Sequence, residues 1–344
     1  MPILDGRDPA SVDAAAGRLA AGELLAFPTE TVYGLGARAD DDAAVAKIFD
    51  AKGRPRDHPL IVHVADAAQA GAFASDWSPL AQRLAASFWP GPLTLIVPRR
   101  DGVASAAAAG QPTIGLRCPA HPLAHALLVR AAALGVPGVA GPSANRFGRI
   151  SPTTAAHVRD EFGDALAVLD GGPCSVGIES AIVDCSRGRP VLLRPGALTR
   201  EALATAAGQP LEDADDAAPR AAGTLEAHYA PRAALRLMPS AALADALAVW
   251  TDARAAAGRP PRPQPVLAVY SRTVRAPRGT ADPALLMRAM PNQPRAAAFE
   301  LFAVLRELDA TGVALIWVEH PPPGSDWDGV RDRLQRAAAA GRAT

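Results

Sequence analysis

The sequence predicts an α/β protein in two domains, and three observations carry that prediction. Its 344 residues exceed one typical domain, and with 49% of them hydrophobic the chain can bury a full core. Short apolar runs bounded by Gly and Pro alternate with stripes of helical period, the pattern of layered α/β units. From Gln209 to Gly223 this periodicity gives way to an acidic, alanine-rich stretch holding Glu212, Asp213, Asp215 and Asp216. We read a first domain over residues 1–208, a linker over 209–234 and a smaller α/β domain over 235–344.

In chain order, Leu24–Phe27 is a strand ended by Pro28, and Thr29, Glu30, Thr31 and Tyr33 follow at its end. Asp40, Asp41 and Asp42 supply an N-cap for a helix whose stripe is Val45, Ile48 and Phe49, and Gly53 and Pro55 stop it. Lys52 continues that stripe, and an ammonium on a core-facing stripe needs an anion nearby. Lys47 and Lys52 are the only lysines among 35 basic residues, so arginine is this chain's default cation; nothing local explains Lys47. Lys52, Arg54, Arg56 and His58 cluster around Gly53 and Pro55, making either a compact site for phosphates or carboxylates or a solvated basic loop. Leu60–Val64 is a strand with Leu60, Val62 and Val64 on one face and Ile61 and His63 on the other.

Ala67–Phe88 reads as helical, with Leu80, Leu84 and Phe88 on one side, and Trp89–Pro92 is a rigid turn feeding a strand over Leu93–Val97. We assign that turn and strand no chemistry. Thr113–Arg117 alternates, so Arg117 faces away from Ile114 and Leu116, toward a ligand or toward water at a sheet edge. The stretch GPSANRFGRISPTTAAHV is dense in small residues and opens a helix capped by Thr153 or Thr154. It can present N–H groups and hydroxyls to a phosphate or ribose, or serve as an ordinary long turn; no GK[ST] is present. After the apolar run Leu166–Leu169 comes DGGPCSVGIESAIVDCS, with Ser180 where a strand begins, and a further strand ends at Arg194. In the last third, Val266–Tyr270 and Val313–Val318 are buried strands, and Phe299, Phe302, Leu305 and Leu308 form a helical stripe between them.

Composition narrows the function classes. A formal net charge of zero argues against a protein whose main business is coating nucleic acid, although a local basic groove stays open. The three cysteines, Cys118, Cys174 and Cys185, show neither a CxxC pair nor metal spacing, which fits a reducing compartment. No run of about 18 uninterrupted apolar residues occurs, and Asp5, Arg7 and Asp8 stand where a signal peptide needs an apolar core, so a cytoplasmic protein is expected.

The motifs resemble one family over most of the chain. PTETVYGLG, then AKGRP and PLIVHV, then FWPGPLTLI, resemble the YrdC-like threonylcarbamoyl-AMP synthases. Lys52 and Arg54 match that family's KxR signature, Ser143 and Asn145 its SxN signature, and Arg194 its RPG arginine. Gly115, Arg117 and Pro119 fit its spacing, GIES ends at Ser180 with Ala181 in place of the usual threonine, and His228–Pro231 resembles the HYAP segment of the long two-domain members. The resemblance implies a twisted mixed sheet with flanking helices, followed by a Rossmann-like domain.

It also implies a nucleotidyl transfer in which L-threonine, bicarbonate and ATP give threonylcarbamoyl-AMP and pyrophosphate, for modification of the tRNA adenosine beside the anticodon. Lys52 and Arg54 are then the catalytic pair, and Mg²⁺ arrives with ATP. By position, Lys52, Arg54, His58, Thr113, Ser143, Asn145, Ser151, Arg194 and Tyr229 are expected to contact ATP. Thr31, His63, Arg117 and Ser180 are expected to hold threonine. His58 departs from an expected asparagine, and Tyr229 reads either as a nucleotide contact or as an interdomain packing residue. A tRNA threonylcarbamoyl-transferase complex is the expected recipient of the product. The competing reading is a noncatalytic RNA-binding module that uses the same basic groove, with salt-sensitive affinity. A carbamoyl-transferring relative fused to zinc fingers is disfavoured by the missing CxxC pairs.

Overall fold

The computed structural model describes residues 3–256, 266–276 and 282–341. They divide into two compact units, one of Met1–Phe147 with Ser151–Thr224 and one of Gly148–Ile150 with Leu225–Thr344.

In the first unit the strands are β1 Ile3–Asp5, β2 Leu25–Phe27, β3 Gly34–Arg38, β4 Ile61–His63, β5 Leu93–Pro98, β6 Thr113–Arg117, β7 Val139–Ala140, β8 Ala167–Asp170, β9 Ala181–Asp184, β10 Val191–Arg194 and β11 Glu212–Asp213. They form one mixed sheet in the order β1-β8-β2-β3-β7-β4-β6-β5-β9-β10-β11. Its helices are α1 Pro9–Ala20, α2 Asp42–Lys52, α3 Ala67–Ala70, α4 Pro79–Phe88, α5 Pro122–Ala133, α6 Ala155–Phe162 and α7 Arg200–Ala207. The helix α2 forms where expected: the Asp41 carboxylate accepts from the Ala43 and Ala44 N–H groups, and Gly53, at φ 62°, closes it in a left-handed turn. Burying Val45, Ile48 and Phe49 beneath it contributes about 1.5–3 kcal/mol per side chain.

Period 2 sorts β4 as read. Leu60, Val62 and Val64 enter the largest apolar core with Leu35, Leu93 and Leu95, whereas Ile61 joins a small cluster with Ile96 and Ile182 on the opposite face. A third core, with Leu19, Leu25, Phe27 and Leu127, lies under α1 and α5.

Several expectations are corrected. Ala67–Phe88 is not one helix: Gly71 ends α3, and Ser78, whose hydroxyl accepts from the Ala81 N–H, starts α4 before Pro79. The glycines that read as loop after Pro28 lie in β3, paired with β2 on one side and β7 on the other. The acidic stretch expected to be linker is, over its first part, built onto the first unit. Within it β11 pairs with β10, Arg189 bonds Glu212 and Asp215, and Ala221 and Ala222 pack on the Ile61–Ile96–Ile182 cluster.

The second unit contains β12 Ala234–Met238, α8 Ser240–Ala256, β13 Leu267–Ser271, β14 Leu285–Ala289, α9 Pro294–Ala310, β15 Leu315–Glu319 and α10 Asp328–Ala340. Its sheet has the order β12-β15-β13-β14 and every pairing in it is parallel. The stripe on α9 is rotated from expectation: Leu301, Phe302, Leu305 and Leu308 are buried, while Phe299 is 47% exposed. Among the described residues no helix is long and apolar enough to cross a membrane.

Candidate active site

Three loops of the first unit converge, each fed by a strand of the sheet. The Tyr33 N–H donates to the Pro152 carbonyl at 2.9 Å and the Ala144 N–H to the Tyr33 carbonyl at 2.8 Å, so residues 28–34 run beside 141–147 and 151–152. The Val176 N–H donates to the Glu30 carbonyl at 2.7 Å and brings in the loop ahead of β9. Tyr33 is buried and anchors the junction, its hydroxyl donating to the Gly172 carbonyl at 2.8 Å and accepting from the Gly171 N–H at 3.2 Å.

The two signatures form one structural element. Lys52 is 4% exposed at the end of α2, and its Nζ donates to the Ser143 carbonyl at 2.5 Å and to the Asn145 carbonyl. Burial, with Arg54 alongside, pushes the ammonium well below the usual lysine range. Arg54 donates to the Pro59 carbonyl at 3.0 Å with its guanidinium 5.7 Å from the Phe147 ring centre, and His58 meets the same ring edge-on at 5.5 Å. Arg56 leaves the cluster, because it is turned to solvent on Asp50 at 3.1 Å. The other lysine has a purely structural job, since Lys47 Nζ donates to the Gly22 carbonyl at 2.7 Å.

A second group gathers around Arg117. This arginine is 3% exposed, so β6 is not a sheet edge open to water. Its Nη2 donates to Glu30 Oε1 at 2.6 Å and its Nη1 to Thr31 Oγ1 at 2.8 Å. Glu30 Oε2 accepts from the Ala120 N–H at 3.1 Å. His63 is the register partner of Arg117 across the parallel β4–β6 pair, packed edge-on to Phe27 at 5.6 Å.

Burial, with the Arg117 charge beside it, pushes the His63 imidazole from 6.5 down to about 3. An unfolded histidine takes up its proton near 6.5, so between these values the unfolded chain binds the extra proton and the folded state loses stability as pH falls. His63→Gln is expected to flatten that acid loss, read as urea midpoints between about pH 7 and about pH 4. Equal slopes in the two proteins would remove His63 as the cause.

A third group is centred on Ser180. Its hydroxyl lies 2.8 Å from that of Thr94, and Arg194 donates to the Ser180 carbonyl at 2.9 Å and to the Ala222 carbonyl at 2.8 Å. Ser151, on the loop of the SxN signature, donates to the carboxylate of Glu179, the residue before Ser180. Thr113, at the start of β6, shares the lining of a cavity of about 20 Å³ with Thr94, Gly115 and Ile182.

Of the residues expected to act, the first unit therefore gathers Lys52, Ser143 and Asn145 in one group, Thr31, Arg117 and His63 in a second, and Ser180 and Arg194 in a third. Tyr229 is not among them. It lies in the second unit, 1% exposed, with its ring 5.4 Å from Phe302 and 5.5 Å from the Arg333 guanidinium, at a φ of 61°. Glu30, Thr94 and Glu179 were not singled out from the sequence. Each is a polar residue inside an apolar or turn motif whose partner is far along the chain, so no spacing signal marks it.

The family described as "Telomere recombination" (Sua5, YciO and YrdC) matches residues 18–196. The chain belongs to the Sua5/YciO/YrdC family. The domain described as "Threonylcarbamoyl-AMP synthase, C-terminal domain" matches residues 198–339, which corresponds to the long, two-domain form. A Bacillus subtilis member named threonylcarbamoyl-AMP synthase is 44% identical over 241 residues, 68% of either chain. A Schizosaccharomyces pombe member of the same name is 32% identical over 92% of this chain and 85% of its own. The crystal structure of Pyrococcus abyssi Sua5 complexed with L-threonine superposes with a TM-score of 0.84 at 34% identity, covering 97% of this chain and 96% of that one. In this Sua5/YciO/YrdC chain the KxR, SxN and GIES motifs all lie within the matched first unit.

Proposed function

We infer that this enzyme forms L-threonylcarbamoyladenylate and pyrophosphate from L-threonine, bicarbonate and ATP, supplying the group that modifies tRNA adenosine beside the anticodon. Family membership supports the reaction. The observation that carries the assignment of residues is the Lys52 ammonium held on the Ser143 and Asn145 carbonyls, which joins the KxR and SxN signatures across some ninety positions of sequence.

The chemistry asks two anions to meet. Threonine loses a proton and takes up bicarbonate as a carbamate with release of water; a carbamate oxygen then attacks the α-phosphorus, and the bond to the β-phosphate oxygen breaks to release pyrophosphate. Fixed cations and oriented N–H groups lower such a barrier. Arg54 and the Lys52-anchored loop are assigned to the polyphosphate, with His58, Thr113, Ser151 and Arg194 around the nucleotide. Thr31, Arg117, His63 and Ser180 are assigned to threonine, with Arg117 on the substrate carboxylate. Lys52 acts chiefly by fixing the loop and adding positive potential, because two of its donors are already spent.

Mg²⁺ is assigned to ATP rather than to the protein. Among the described residues no group of three His, Cys, Asp or Glu side chains is placed to cage a metal, and magnesium on nucleotides is held largely by phosphate oxygens and water. When bound it neutralises phosphate charge. Transfer of the product to a tRNA threonylcarbamoyl-transferase complex follows from the same reading.

The test is to supply ATP, Mg²⁺ and labelled bicarbonate with and without L-threonine, and to follow pyrophosphate and the labelled adenylate together. A threonine-dependent adenylate is expected. No adenylate, together with RNA binding that falls steeply with salt, would replace this reading by the RNA-binding module.

A further inference from the structure

We propose that Thr94, in β5, is a positioning residue of the amino-acid subsite, which it serves by fixing the hydroxyl of Ser180. The inference deepens the proposed function and rests on Ser180 being a threonine contact.

Thr94 and Ser180 are both fully buried, and their hydroxyl oxygens are 2.8 Å apart. Thr94 belongs to the face of β5 that also carries Ile96, away from the core that takes Leu93 and Leu95. A threonine there wastes an apolar position unless its hydroxyl is used, and among the described residues the Ser180 hydroxyl is its one hydrogen-bond partner. Between them the two groups have two protons and one mutual bond. Arg194 Nη2 also donates to Ser180 Oγ at 3.3 Å, which fills a lone pair and supplies no acceptor.

One O–H therefore remains over, buried, whichever way the pair is oriented. A buried donor without an acceptor is costly, and the cost is relieved by an oxygen that arrives with a ligand. If Ser180 donates to Thr94, the Thr94 proton is stranded against the strands; if Thr94 donates to Ser180, the Ser180 proton is the spare one. Thr94 is β-branched and fully buried, so its stiff χ1 keeps its hydroxyl on that of Ser180. The second orientation makes Ser180 a donor aimed at an anionic oxygen of the bound amino acid, its carboxylate or the carbamate made from it.

Thr94→Val keeps the shape and deletes the hydroxyl, and Thr94→Ser keeps the hydroxyl and deletes the methyl. Both are compared with the wild-type chain by calorimetric binding of L-threonine and by adenylate formation, with the KM for ATP as control. Thr94→Val is expected to weaken threonine binding or raise its KM about tenfold while the KM for ATP stays within about twofold, and Thr94→Ser is expected to stay close to wild type. A loss already present with threonine alone assigns the oxygen to the carboxylate; a loss seen only with bicarbonate assigns it to the carbamate. Unchanged binding and KM in Thr94→Val, or equal losses in both variants, would overturn the proposal, the latter by showing that the methyl matters and the hydroxyl does not. A wild-type chain that binds threonine and forms no adenylate would instead overturn the proposed function, and the binding arm would still decide on Thr94.

Discussion

Lys52→Met lowers kcat/KM for adenylate formation by at least ~10²-fold and leaves the fold in place. The magnitude is that of removing one preorganised electrostatic group from a site where charge builds up, about 10²–10³ in rate. The direction follows from the geometry. The Lys52 ammonium ties the Ser143 and Asn145 carbonyls to the end of α2, so its removal both withdraws a positive charge and frees the loop that carries the SxN signature. Methionine fills the buried channel that the lysine stem occupies, while the two carbonyls lose their donor at a cost of about 1–3 kcal/mol. Lys52→Ala adds a cavity to that cost and is expected to melt lower than Lys52→Met for the same loss of activity. Lys52→Arg does not rescue, because a planar fork does not fit where a compact ammonium is 4% exposed. Pyrophosphate release at saturating threonine, with a thermal melt of each variant, is the measurement. Activity of Lys52→Met within about threefold of wild type would mean that Lys52 is only a structural pin.

The burial of Lys52 is written locally in the sequence, whereas the groups it binds are not. The stripe of α2 is local: Val45, Ile48, Phe49 and Lys52 repeat at helical spacing, so a buried lysine could be read without a structure. Its partners could not, because they are backbone carbonyls of residues 143 and 145, delivered by the long loop after β7. The family signature supplied the pairing that periodicity could not. In the same way period 2 placed Arg117 off the apolar face of β6, yet whether that face met water or protein depended on Glu30, a residue 87 positions earlier.

Where the reading of elements failed, the causes were equally specific. Gly34 and Gly36 suggested a loop, but they let β3 run close beneath the Phe27 ring, where a Cβ on Gly36 would stand 2.9 Å from Phe27 Cε1. The stretch from Ala67 to Phe88 kept its apolar spacing across a break made by Gly71 and Ser78, so hydrophobic pattern outvoted turn chemistry. The acidic stretch after Gln209 has no apolar period, yet Arg187 and Arg189 hold Asp215 from the turn between β9 and β10. Ion pairs of this kind leave no trace in hydrophobic periodicity. Thr94 is the plainest case, since a threonine in a strand is ordinary until a second hydroxyl is found opposite it.

The Arg117–Glu30 pair gives the other large effect, and it separates stability from binding. Arg117→Ala leaves the Glu30 carboxylate, 5% exposed, with the Ala120 N–H and no cation, and is expected to cost about 3–5 kcal/mol of stability. It also removes the group assigned to the substrate carboxylate, so threonine affinity falls about 100-fold, while ATP affinity moves by less than about threefold. The single variant cannot tell these effects apart, because a loosened site also binds poorly. Combining Arg117→Met with Glu30→Leu removes both charges and keeps the volume, which often restores or exceeds the stability of a buried ion pair. If Arg117 serves the substrate, the double variant recovers its melting temperature and still fails to bind threonine. If the ion pair is only architecture, threonine binding returns with the fold, and the cation that meets the substrate carboxylate must be sought elsewhere in the site. Calorimetric titration of threonine into the wild type, Arg117→Ala and the double variant, alongside urea midpoints for each, decides between the two.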